Sequence, residues 1–151
     1  MQLTDIVAYV AIGAGIAGIL TFLIGAIPAR KLAKLQAVIQ YFQQGDTKEF
    51  IERRHRVYKA DEENINPIDA SYLCSFFHFW GLMVRRGLLP IWVFDGVSGE
   101  RVVQLYHKLS KFIEDTRKDT PKYAEHFQWL SERIVRKGYV RVETSQKKRK
   151  V

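Results

Sequence analysis

The sequence predicts an all-α protein, with a single N-terminal transmembrane helix followed by a small cytosolic helical bundle. Three observations predict it. The stretch from Ile6 to Ile27 carries no charged side chain. Beyond it, apolar residues recur at three- and four-residue intervals, and Gly, Pro and capping residues punctuate the recurrence. Strict alternation of apolar and polar residues is confined to Tyr139-Val140-Arg141-Val142, a short extended piece with no partner strand in view.

The anchor comes first. As a helix, Ile6 to Ile27 reaches ~33 Å at ~1.5 Å per residue, against ~30 Å of bilayer hydrocarbon. Its Ile, Val, Leu and Phe residues favour insertion by at most about 5 kcal/mol, from which four glycines subtract. A cleaved signal peptide needs a basic start and a shorter apolar core, and Met1 to Asp5 has no basic residue. Arg30, Lys31 and Lys34 follow the stretch at once, so the N-terminus is expected outside and the rest in the cytoplasm. That places the protein in the inner (cytoplasmic) membrane. Ala11, Gly15, Gly18, Phe22 and Gly25 recur at helical spacing and predict a helix-packing face, for a second copy or a foreign membrane protein.

The domain follows in order. Residues 1–28 are read as the anchor, 29–45 as a juxtamembrane amphipathic helix, 46–138 as the helical cytosolic domain and 139–151 as a basic tail. In the second segment Leu32, Leu35, Ile39 and Phe42 form one stripe, and Gly45 stops the helix. Asp46 and Glu49 suggest a capping box, opening a helix whose inner face holds Phe50, Ile51, Arg54, Val57 and Tyr58. Its basic cluster of Arg53, Arg54, His55 and Arg56 is expected to be solvated or paired with Glu52, Asp61 or Glu62. Asn66-Pro67-Ile68-Asp69 is a strong helix start, with Gly87 as the stop. This aromatic helix, carrying Ile68, Tyr72, Phe76, Phe79, Trp80 and Met83, with Cys74 and Phe77 widening the face, should be the centre of the domain. Pro90 to Phe94 opens a short helix. A long one is expected over about Glu100 to Lys118, with Val102, Leu105, Leu109, Phe112 and Ile113 inward. Thr120-Pro121 predicts the start of the last helix, which carries Tyr123, Phe127, Leu130 and Ile134 and ends at Gly138.

Charge and cysteine content narrow the function classes. With 24 Lys and Arg against 16 Asp and Glu, the net charge is +8. Much of the excess sits beside the anchor and in Lys147, Lys148, Arg149 and Lys150, where an anionic cytoplasmic leaflet would attract it. These four, with Arg30, Lys31 and Lys34, are the expected contacts to lipid or another acidic surface. Nucleic acid is a poor match, because no aromatic residues interleave with the tail's charges. A lone cysteine, Cys74, excludes an intrachain disulfide and suits a reducing compartment. His55, His78, His107 and His126 lie too far apart in sequence to signal a metal site, and no cofactor motif is present.

Arg56-Val57-Tyr58, the aromatic helix leading into Val84-Arg85-Arg86-Gly87-Leu88-Leu89, Arg117, and Phe127-Gln128-Trp129-Leu130 together resemble a bacterial family catalogued as domain of unknown function 4760. The resemblance covers most of the chain after the anchor. It implies a membrane setting and a helical cytosolic domain, and no activity. One short pattern points elsewhere. Arg101 and His107, five residues between them, are similar to the motif of helical HEPN ribonucleases, in which the Arg steadies a phosphate and the His moves a proton. Val102 stands where that family has a polar residue. The weightier expectation is therefore a non-catalytic accessory, assembly or interaction subunit, with a membrane-tethered ribonuclease or an anionic-lipid organiser as the alternatives.

Overall fold

Helices make up all the regular structure among residues 29–140, the part of the chain that the computed structural model describes. The anchor stretch and its small-residue face (Ala11, Gly15, Gly18, Phe22, Gly25) lie outside the described residues, as do Lys147, Lys148, Arg149 and Lys150. Residues 29–45 form helix α1. There follow α2 (Lys48–Lys59), a 3-10 turn (Glu62–Asn64), α3 (Pro67–Arg85), a second 3-10 turn (Ile91–Phe94), α4 (Val97–Lys108), α5 (Ser110–Arg117) and α6 (Glu125–Arg136). The all-α expectation holds for these residues.

The chain divides into two units between Gln36 and Ala37. In the first, Arg30, Lys31, Leu32, Lys34 and Leu35 are all exposed. The second begins inside α1, and Ala37 and Tyr41 are buried members of its core. The Tyr41 ring meets Trp80 edge-on at 5.4 Å and Phe94 at 5.2 Å, so the aromatic cluster of the bundle reaches back to α1. Ile39 and Phe42 stay exposed.

The expected start at Asp46 is off by one residue. The Asp46 N–H still donates to Phe42 O (2.9 Å) and so closes α1. Thr47 caps α2 instead: its Oγ1 accepts from Phe50 N (3.3 Å) and donates to Gln44 O (2.9 Å), stitching the two helices together. Phe50 and Val57 are buried as expected, whereas Ile51 is exposed.

α3 starts as the sequence predicts, with Asn66 Oδ1 accepting from Ile68 N (2.8 Å) and Pro67 in the first turn. Its end is a Schellman turn: Gly87, at φ 70°, donates to Val84 O, and Leu88 donates to Met83 O. The helix is rotated from the expected stripe. Ala70, Leu73, Cys74, Phe77, Trp80 and Gly81 face inward, while Ile68, Tyr72 and Phe79 are exposed. α3 packs mainly on α6 and also on α2. Where α3 crosses α6, a Cβ on Gly81 would lie 2.2 Å from His126 O, so the two backbones touch there.

Two further expectations are corrected. The long helix is two: α4 begins at Val97, and a turn at Leu109 divides it from α5. The hydrogen-bond ladder continues through the turn (Leu109 N to Leu105 O, Ile113 N to Leu109 O), and both Leu109 and Ile113 are buried. No Gly or Pro marks the division, where Leu109 departs from helical geometry at φ −94° and ψ 2°. The last helix begins at Glu125, not at Thr120-Pro121. Those two residues open a turn that Tyr123 N closes on Thr120 O, and Ala124 then adopts the left-handed conformation at φ 52°, which no helix continues through. Phe127, Leu130 and Ile134 point inward as expected, and a Schellman turn at Gly138 follows. Tyr139 and Val140 pack against the core.

Candidate functional site

α2 carries four consecutive basic residues, and the bundle divides their labour. Arg53 Nη1 donates to Asp69 Oδ1 (2.8 Å), Arg56 Nε to Asp69 Oδ2 (2.6 Å) and Arg56 Nη2 to Asp69 Oδ1 (2.9 Å). Asp69 is 2% exposed, so two guanidiniums hold a buried carboxylate at the start of α3. The pairing that the sequence suggested with Glu52, Asp61 or Glu62 is not the one formed. Arg56 foremost, through its hydrogen bonds, and then Arg53 hold the Asp69 carboxyl below its ordinary pKa of 3.8 against the opposing effect of burial. Arg53 also takes Glu49 through two bonds of 2.8 and 3.0 Å.

Arg54 lies on another face of α2 and forms no ion pair among the described residues. Its guanidinium sits 5.4 Å over the Phe50 ring. Arg101, from α4, is equally without a carboxylate. Both arginines line two neighbouring cavities. One, about 240 Å³, has Tyr41, Phe42, Phe50, Phe76 and Phe77 among its walls. The other, about 300 Å³, adds Ile51, His55 and Tyr58. The Tyr58 hydroxyl donates to Arg101 O (2.9 Å), tying α2 to α4 between them. Burial pushes the Tyr41 phenol up to about 12, and a hydrogen bond from Ser98 and the charge of Arg54 act the other way. Tyr58 is likewise raised by burial, and Arg54 and Arg101 both oppose the rise. Both phenols therefore stay protonated at neutral pH within reach of the cations.

The sequence singled out Arg101 together with His107, and the structure does not join them. His107 faces a separate cavity of about 550 Å³ with Tyr106, Ser131, Glu132, Val135 and Arg136. The structure does join two histidines that sequence distance kept apart. The His78 and His126 rings meet at 4.7 Å, tilted by 47°, where α3 meets α6, and neither Nδ1 has a hydrogen-bond partner among the described residues. His126 Nε2 lies 3.5 Å from Glu125 Oε1. Burial, followed by the His126 charge, lowers the His78 pKa from 6.5. Among the described residues no cluster of three metal-ligating side chains forms. Cys74 is buried, and burial pushes its thiol up to about 12, which leaves it protonated and inert.

Tyr41 and Ser98 escaped the sequence reading as site residues. Tyr41 falls between the stripe positions of α1, and Ser98 lies before the helix start expected at Glu100. Only the packing of α1 onto the bundle brings them to Arg54.

No curated protein and no solved structure matches the chain. The family described as a domain of unknown function (DUF4760) matches it over residues 6–134, which takes in the whole apolar stretch from Ile6 to Ile27, α1 to α5, and α6 up to Ile134. The chain belongs to the DUF4760 family.

Proposed function

We propose that this protein is a single-pass membrane protein of the inner membrane whose helical domain faces the cytoplasm. There it serves as a non-catalytic accessory, assembly or interaction subunit for another membrane protein or for a second copy of itself. The observation that carries the reading is the uncharged run from Ile6 to Ile27, with Arg30, Lys31 and Lys34 directly after it. Among the described residues no helix is long and apolar enough to cross a membrane. The exposure of Leu32 and Leu35 in the first unit, and of Ile39 and Phe42 in the second, supports a setting at the membrane surface. The basic residues at 30, 31, 34 and 147–150 act there as contacts to anionic lipid.

Alkaline carbonate extraction of native membranes tests the anchor. The chain is expected in the pellet, and its release into the wash overturns the reading. Association is tested by purification in native-lipid nanodiscs. A stoichiometric second polypeptide, or a homo-oligomer, should be lost when Gly15 and Gly18 are both replaced by Leu. RNA cleavage by the purified chain that disappears in His107→Ala would replace the interaction reading with the ribonuclease one.

A further inference from the structure

We propose that the paired cavities flanking Arg54 and Arg101 form one binding site for an amphiphilic anion, a carboxylate or phosphate carried on an apolar group. The site lies wholly within the bundle. It does not depend on the anchor, and it stands or falls separately from the reading above.

The charge argument starts from α2. Of its three arginines, Arg53 and Arg56 are committed to Asp69, and Arg53 to Glu49 as well. Among the described residues Arg54 is left without a carboxylate, and α4 sets a second such guanidinium, Arg101, on the walls of the same two cavities. Both guanidiniums line the same space, and guanidiniums suit carboxylate and phosphate oxygens. Asp46 is the one carboxylate among the lining residues. It is exposed, and no ion pair joins it to either arginine.

The shape argument concerns the rest of the walls. Phe42, Phe50, Phe76, Phe77, Val102 and Leu105 give the first cavity, of about 240 Å³, an apolar wall beside its cations. Arg54 rests over the Phe50 ring, so the charged and apolar parts adjoin. A bare inorganic anion would leave the aromatic wall in water. A neutral hydrocarbon would leave two guanidiniums unpaired. A ligand with both parts satisfies the site. The Tyr41 and Tyr58 hydroxyls and Ser98 stand by as neutral hydrogen-bonding groups.

Phenyl phosphate is a probe with both parts, and it partitions poorly into lipid. It is titrated calorimetrically into the full chain in phosphatidylcholine nanodiscs, beside inorganic phosphate and benzyl alcohol. The expected result is binding of phenyl phosphate at least tenfold tighter than that of either half-probe. In the R54Q/R101Q double variant that affinity should fall at least tenfold. Phe42→Ser, an exposed position that leaves both cations in place, should weaken phenyl phosphate severalfold and leave inorganic phosphate unchanged. Phosphatidic acid added to the nanodisc separates the two sources of such an anion. Displacement of the probe assigns the site to a lipid headgroup, and continued binding assigns it to a soluble metabolite. Absence of binding, equal binding by the double variant, or inorganic phosphate binding as tightly as phenyl phosphate would each overturn the proposal.

Discussion

The two sides of α3 are built on opposite principles. Against α6 the helix is in backbone contact: Gly81 admits His126 O, Phe77 stacks on Phe127 at 5.0 Å, and His78 meets His126. Toward α1, α2 and α4 the same helix turns Phe76 and Phe77 to a cavity of about 240 Å³ rimmed by two arginines. Close packing fixes the first seam. The hollow side is held by polar ties instead: the Asp69 clamp, the Thr47 cap and the Tyr58 bond to Arg101 O. The difference teaches that the rigid seam carries stability, while the tied seam is where a ligand has room.

The largest effect should come from breaking the tight seam. Gly81→Val puts a branched side chain where even a Cβ would lie 2.2 Å from a backbone oxygen, so α3 and α6 must separate. The expected loss is about 3 kcal/mol or more, read as a collapse of the cooperative melt. A melt within a degree or two of the parent would show that the seam gives way easily.

Next is the clamp of the hollow side. Asp69→Ala removes the buried carboxylate that Arg53 and Arg56 share, leaving Arg53 to Glu49 and Arg56 to solvent, and should cost about 1 kcal/mol in denaturant unfolding. The same group sets an acid limit. Its folded pKa lies below the ordinary 3.8, so its contribution is complete above that value and is lost as pH falls through the range beneath it. The Ala variant should lose that segment of the stability-against-pH curve.

A smaller pH effect belongs to the tight seam. His78 has its pKa lowered from 6.5, so the folded state favours the neutral ring. Stability is full above about 6.5 and declines as pH falls below it, because the unfolded chain takes the proton first. His78 is only partly buried, faces His126 and has Glu125 nearby, so the decline should stay under about 1 kcal/mol between pH 6.5 and 5. His78→Gln should flatten it, and a parent-like slope in that variant would assign the effect to other groups.

The smallest effect sharpens the comparison. Arg54→Gln and Arg101→Gln should each shift stability by no more than about 0.5 kcal/mol, since neither arginine has an ion pair to lose. A loss well beyond that in thermal unfolding would make them structural parts of the hollow side rather than free cations facing a cavity.

Local rules read much of this fold directly. Asn66-Pro67 and Gly87 bound α3 because capping and the left-handed turn are short-range chemistry written in adjacent residues. The inward Phe127, Leu130 and Ile134 of α6 follow from a helix with one apolar stripe. α3 defeated the same rule because it is apolar nearly all round, so the sequence could not say which of its aromatic residues turn inward.

By itself the sequence determined helical elements, a net charge of +8, an uncharged N-terminal stretch and the family to which the chain belongs. Only the tertiary structure decided that Asp69 is the partner of Arg53 and Arg56, that Arg54 and Arg101 share a hollow, and that His78 lies on His126. Caps and periods depend on neighbours within a turn or two. Charge pairing and cavities depend on which faces two distant helices present to each other, and spacing along the chain carries no record of that.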